Sequence, residues 1–271
     1  MEDRRKRNRI IRQRIAILGF TTGALSTLVI VLLFVGISKL FAQAGIESGT
    51  NANDAYSTSG ALLTPEPIKP SEYPKAEGLL RLVNWDNPTD GTRPPNLVLA
   101  KAVLGDEIVL QNNETSIDYE AGVALSRMCR AAVADGIQKY VLTSGYRSVD
   151  YQKTLWENRL AQDPDYGKDP FTSPVKVMPG NMSEHATGLA VDILNMEHKN
   201  ANDEYGESMA GLWLAHNAHK YGFILRYPKD KQHITGVIYE PWHFRYVGEE
   251  AAEEIYSKGI CLEEYLGKER K

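Results

Sequence analysis

Apolar and polar positions divide this chain into three unlike stretches. From Ile15 to Ser38 there are 24 residues without a charge, IAILGFTTGALSTLVIVLLFVGIS. Wound as a helix, such a run covers roughly 36 Å at about 1.5 Å per residue, enough for a hydrocarbon core of about 30 Å with some tilt. The rival reading is a secretory signal, whose apolar region should span only about 7–15 residues and lead into a small-x-small cleavage site. Ala42-Gln43-Ala44 supplies such a site, whereas the length of the run favours a retained anchor.

The second stretch, residues 45–75, loses all periodicity. It is rich in Gly, Ser, Thr and Asn and closes with Pro65, Pro67, Pro70 and Pro74. A segment of that kind buries too little apolar surface to offset its ordering entropy and is expected to act as a tether, extended at its proline end. The third stretch begins at Ala76 and is long enough for one domain with a sizeable core. The expected organisation is therefore a basic arm over 1–14, a membrane helix over 15–38, a linker over 39–75 and a folded domain over 76–271.

Within that domain the pattern predicts a helix from Thr115 to Asp135, with Thr115 and Asp118 as a capping box and Gly136 as its stop. Ile137–Thr143 alternates as a strand does. Ser148 is placed to cap a second helix through Leu160, and a third, Ser208–Tyr221, ends before Gly222. Ile224–Tyr227, Ile234–Tyr239 and His243–Val247 read as short strands, and Glu249–Lys258 as a last helix. Helices grouped early and strands late predict an α+β fold, an antiparallel sheet with helices packed on it.

Charge fixes the orientation. Arg4, Arg5, Lys6, Arg7, Arg9, Arg12 and Arg14 precede the apolar run, and Lys39 alone follows it closely. The positive-inside rule keeps the N-terminus in the cytoplasm and exports everything after residue 39. The overall charge of −4 conceals the contrast: from residue 40 onward 33 acidic side chains face 23 basic ones. A body that acidic is a poor partner for a phosphate backbone, so nucleic acid is excluded. The lipid bilayer is the one partner that charge and pattern imply, and the domain is expected to work as a monomer. Outside the cell Cys129 and Cys261 are free to form a disulfide, although Cys129 lies in an apolar helical stretch that suits a buried thiol equally well.

Three islands carry the chemistry: Ser144-Gly-Tyr-Arg-Ser148, Ser183-Glu-His-Ala-Thr-Gly-Leu-Ala-Val-Asp192 and Glu240-Pro-Trp-His243. Gly188 lets the chain turn between His185 and Asp192. Asp192 falls inside the apolar run Leu189–Leu194, where a carboxylate is costly unless it meets a cation, either an arginine or a metal. Glu240 and His243 are three apart, which on a straight strand sets them on opposite faces; Pro241 predicts the bend that brings them together. Two histidines, one carboxylate, an open fourth position and a separate Glu make up a hydrolytic zinc site. His198, His216 and His219 have ordinary loop or helix readings, and His233 is the lesser candidate for the last ligand.

In this order the islands resemble the VanY-type D-alanyl-D-alanine carboxypeptidases, zinc peptidases of the M15 class. The family pattern S-x-H-x-x-G-x-A-x-D is met from Ser183 to Asp192, and E-x-x-H from Glu240 to His243. The similarity runs from about Leu80 to Leu266. It implies a zinc ion (Zn2+) held in a central cleft by His185, Asp192 and His243, with Glu240 as catalytic base. It also implies a substrate pocket containing Arg147, Gln152 and Ser183. An arginine fork, an amide and a hydroxyl suit a terminal carboxylate or a developing oxyanion, and Arg147 is assigned to both tasks.

The resemblance implies a zinc carboxypeptidase that removes the C-terminal D-alanine from bacterial peptidoglycan stem peptides. The apolar run with its flanking charge adds the expectation that it is membrane-anchored, with this domain outside the cell. An endopeptidase cutting within stem peptides or cross-bridges would use the same zinc site without the carboxylate pocket. A wall-binding ectodomain without activity would need neither. D,D and L,D specificity, which differ in the stereochemistry of one residue, stay open at this point.

Overall fold

The computed structural model describes residues 78–270. Its strands are β1 (Leu97–Leu99), β2 (Ile108–Leu110), β3 (Ser116–Asp118), β4 (Tyr140–Ser144), β5 (Ala190–Asn195), β6 (Phe223–Leu225) and β7 (His243–Tyr246). Its helices are α1 (Tyr119–Ala134), α2 (Val149–Gln162), α3 (Met209–Asn217), α4 (Gln232–Thr235), α5 (Glu249–Lys258) and α6 (Leu262–Tyr265), joined in places by 3₁₀ turns. The fold is α+β. Five strands form one sheet in the order β2-β4-β5-β7-β6, and β1 pairs with β3 in a small antiparallel ribbon.

Three of the four ladders in the main sheet are antiparallel, as the sequence predicts. The edge pair β2–β4 is parallel, which corrects the expectation of a wholly antiparallel sheet. The cause is the connection. Two parallel strands need a long crossover, and α1 supplies it between β2 and β4.

Helix α1 buries Ala121, Ala124, Leu125, Met128, Cys129 and Ala132 at helical spacing against the sheet. It starts at Tyr119 rather than Thr115, because Ser116-Ile117-Asp118 pairs with β1 and buries Ile117 completely. Asp118 is the cap, its carboxylate accepting from the backbone N–H of Glu120 and Ala121. Ser148 caps α2 through Tyr151 N–H at 3.2 Å. Gly222, at φ +82°, ends the turn that follows α3. Helix α5 has the predicted boundaries.

The expected strand Ile234–Tyr239 is not formed. Gln232–Thr235 makes a helical turn closed by Gly236 at φ +69°, and a Cβ on that glycine would lie 2.6 Å from Trp85 Nε1. Only Val237 keeps an extended role, as an isolated bridge to Val175. Cys129 and Cys261 are both buried free thiols, and burial raises both well above the ordinary thiol range. The apolar run 15–38 and the linker 39–75 lie outside the described residues. Among the described residues no helix is long and apolar enough to cross a membrane.

Candidate metal centre

Strand β5 is central in the sheet and almost wholly buried. Its Asp192 stands opposite His243 of β7 on one side and opposite Ser144 of β4 on the other. Directly opposed residues of an antiparallel pair point to the same face, so Asp192 and His243 share a face by register alone. His185 arrives from the 3₁₀ turn Glu184–Thr187. Gly188 ends that turn at φ +73°, and a Cβ there would meet Leu97 Cδ2 at 2.4 Å. Its carbonyl accepts from Asp118 N–H at 3.0 Å, tying the turn to the start of α1.

The three side chains converge. His185 Nε2 lies 3.3 Å from Asp192 Oδ2, and His243 Nδ1 lies 3.1 Å from Asp192 Oδ1. The two imidazoles meet edge to face, 4.9 Å between centroids. One ligating atom from each of the three residues falls within 4.8 Å of the others, the one such cluster among the described residues. His185 Nδ1 sits 2.6 Å from the carbonyl of Gly145, to which it can only donate, so its Nε2 carries the lone pair. His185 Nε2 and Asp192 Oδ1 are buried without a hydrogen-bond partner.

Glu240 precedes β7 across the turn Pro241-Trp242, in which His243 N–H donates to Glu240 O at 3.1 Å. This is the bend that Pro241 predicts. It leaves Glu240 Oε2 3.7 Å from His243 Nδ1. Arg147 lies in the loop between β4 and α2. Its N–H donates to His185 O at 3.1 Å, and its Nη2 is 3.6 Å from Asp192 Oδ2. The neighbouring Gly145 is pressed onto β3, where a Cβ would approach Ser116 O to 2.4 Å. Gln152 is buried in the first turn of α2 and donates to Met178 O at 2.8 Å, leaving its own carbonyl oxygen without a partner. Ser183 is buried two residues before His185.

Burial and the Arg147 guanidinium push His185 down to about 4. For His243 burial acts in the same sense, but the carboxylates of Asp192 and Glu184 outweigh it and raise the ring to about 9. Asp192 is held well below the usual carboxylate range against its burial, chiefly by His185. Burial, with the Asp192 charge, raises Glu240 to about 8. A cation between these groups would act in the opposite sense on both Glu240 and His243.

Sequence reasoning missed the layer behind the three donors. Glu184 is fully buried, with Oε1 accepting from Arg226 Nε at 2.8 Å and from Arg245 Nη1 at 2.9 Å. Arg226 grips Glu263 of α6 with its other two nitrogens, at 2.8 and 2.6 Å. The signal available was an arginine inside each of two apolar runs, Phe223–Tyr227 and His243–Val247. A guanidinium there must find buried carboxylates. The remaining histidines stand apart. His219 stacks on Tyr256, His216 bonds Leu212 O within its own helix, and His233 is exposed on α4.

Comparison with known proteins places this geometry. The family model described as VanY, D-alanyl-D-alanine carboxypeptidase, matches residues 114–249. A D-alanyl-D-alanine carboxypeptidase of Enterococcus faecalis (strain ATCC 700802 / V583) is 40% identical over 174 residues, 60% of this chain and 60% of that protein. The structure of the LD-carboxypeptidase LdcB is 37% identical with a TM-score of 0.63, covering 72% of this chain and 88% of LdcB. A mutant of the vancomycin resistance D,D-pentapeptidase VanY from a VanB-type cassette, in complex with Zn(II), is 36% identical with a TM-score of 0.54, covering 69% of this chain and 98% of that one. With the motif residues gathered on one sheet face and the family match spanning half of its length, this chain belongs to the VanY family of D-alanyl-D-alanine carboxypeptidases.

Proposed function

We propose that this protein is a zinc carboxypeptidase that removes the C-terminal D-alanine from peptidoglycan stem peptides. In this reading residues 15–38 anchor it in the membrane of a bacterial cell, 39–75 form the tether, and 76–271 carry the activity on the outer side. The observation that carries the catalytic reading is the convergence of His185, Asp192 and His243 with Glu240 at their side.

The donor set fits the metal. Two imidazole nitrogens and one carboxylate oxygen are a zinc hydrolase's ligands, and His185 Nε2 is a buried lone pair without a hydrogen-bond partner, facing the Asp192 carboxylate at 3.3 Å. His185, Asp192 and His243 would hold the ion. The chemistry it supplies when bound is Lewis acidity, which acidifies water and polarises a carbonyl.

The chain's own groups do the rest. Glu240 takes the proton of the attacking water and delivers it to the leaving amine. Arg147, 3.6 Å from Asp192, directs a guanidinium fork at the terminal carboxylate or at the oxyanion that forms on attack. Gln152 offers its unpartnered amide oxygen and Ser183 its hydroxyl for orienting the peptide. A carboxylate clamp of this kind serves a carboxypeptidase, and an endopeptidase has no use for it.

The test is the full chain, purified in detergent with zinc. It is given a pentapeptide ending in D-Ala-D-Ala and a tetrapeptide ending in one D-Ala, and products are followed by mass spectrometry. Loss of one alanine, abolished by chelator and restored by zinc, is expected, and the peptide trimmed decides between D,D and L,D specificity. Cleavage that persists when the C-terminus is blocked as an amide would refute the carboxypeptidase reading.

A further inference from the structure

His185 has its tautomer set by the Gly145 carbonyl, and Asp192 is fixed within its strand. His243 lacks a carbonyl partner of that kind. Its Nδ1 faces Asp192 and Glu240, and its Nε2 points away from them toward Glu184 Oε2, 3.8 Å distant. Both Nε2 and Oε2 are buried, and neither has a hydrogen bond elsewhere. A buried carboxylate oxygen and a buried ring nitrogen left unpaired are costly, and each is the nearest remedy for the other.

Resting on the zinc reading above, we propose that Glu184 is a positioning residue for the metal. It accepts from His243 Nε2–H, which leaves the lone pair on Nδ1 and aims it at the donor face. Arg226 and Arg245 hold that carboxylate through its other oxygen, whereas Glu263 binds Arg226 through the guanidinium's remaining two nitrogens. Arg245, besides bonding Glu184, donates to the carbonyls of Leu79 and Arg81 at 2.9 and 2.8 Å. Glu263 also accepts from Asn84 Nδ2 at 3.1 Å. The two arginines that clamp the carboxylate are thus themselves held by residues near both ends of the described domain, Leu79 and Arg81 on one side and Glu263 on the other. Partners of this kind raise the basicity of a metal-binding imidazole and fix its orientation.

A competing account makes Glu184 a counter-charge for two buried guanidiniums and nothing more. Glu184→Gln and Glu263→Gln separate the two, since each removes one negative charge from the same cluster but only Glu184 faces His243. Zinc affinity of the full chain is read by chelator competition, ligand geometry by the visible spectrum of the cobalt-substituted protein, and folding by near-ultraviolet circular dichroism. Glu184→Gln is expected to weaken zinc by about 10- to 100-fold and to alter the cobalt spectrum. Glu263→Gln is expected to lower thermal stability while leaving both metal readouts near those of the parent.

Should Glu184→Gln fail to fold, Glu184→Asp takes its place; it keeps the charge but withdraws the carboxylate from His243, and the same loss of affinity is expected. A folded Glu184 variant with parental zinc affinity and cobalt spectrum would overturn the proposal, as would equal weakening by Glu263→Gln. Failure of the parent chain itself to bind zinc would instead refute the zinc reading on which this inference rests.

Discussion

Asp192 and His243 stand directly opposite one another on adjacent antiparallel strands, and the carboxylate meets the imidazole at 3.1 Å. Two of the three donor residues therefore have their spacing set by a backbone ladder inside the core. The third, His185, depends on a turn, so the turn is where the arrangement is most easily disturbed.

Gly188 holds that turn at a positive φ with no room for a Cβ beside Leu97. Gly188→Ala should destabilise the domain by about 1–3 kcal/mol, from backbone strain added to the clash. It should also weaken metal binding, because His185 moves with the turn. Urea titration of the metal-free protein measures the first effect and chelator competition the second; an unchanged midpoint would show that the loop accommodates the methyl.

Glu240 touches the donor face through Oε2, 3.7 Å from His243 Nδ1. Glu240→Gln keeps the shape and removes the base. Turnover should fall by about a hundredfold or more while zinc content stays stoichiometric. Full activity in that variant would remove Glu240 from the mechanism.

Arg147→Lys keeps the charge but loses the planar fork. Loss of one charge-assisted bond, worth about 1.5–3 kcal/mol, corresponds to a fall of about 10- to 100-fold in kcat/KM. Steady-state kinetics on the D-Ala-terminated peptides provides the number. An unaltered kcat/KM would mean that the guanidinium contacts neither carboxylate nor oxyanion.

In the metal-free protein the surrounding carboxylates outweigh burial and raise His243 to about 9, so at neutral pH the ring carries a proton that a metal must displace. Zinc affinity should therefore rise with pH, by about tenfold per unit through the neutral range, and level off as pH passes the ring's own value. Chelator competition at several pH values between about 6.5 and 9.5 tests this. A flat profile would show that the ring is already neutral.

The three islands were legible because their chemistry is local. Gly188 and Pro241 mark the turns that bring distant carboxylate and imidazole groups together, and single residues of that kind can be read without a structure. Helix boundaries followed from caps such as Ser148 and stops such as Gly136 for the same reason. The helix expected to reach Gly222 instead ends at Asn217, and only a 3₁₀ turn continues to that glycine. The strand expected at Ile234–Tyr239 failed because Gly236 packs under Trp85, a contact across a long sequence separation that alternation does not encode. The parallel edge pair was hidden too, since strand direction depends on where α1 crosses. Glu184 was the costliest omission. It sits between two residues of a recognised pattern, and its partners Arg226, Arg245 and Glu263 come together only in three dimensions.

That buried charge cluster also sets the smallest piece of the molecule able to stand alone. The family match covers residues 114–249, yet Arg245 is completed by the carbonyls of Leu79 and Arg81, and Arg226 by Glu263. A fragment trimmed to the matched segment would retain every metal donor and still hold two guanidiniums stripped of their outer partners inside an apolar interior. Such a fragment is expected to be insoluble or unfolded. The autonomous unit is expected to include at least Leu79, whose carbonyl receives Arg245, and α6, which carries Glu263.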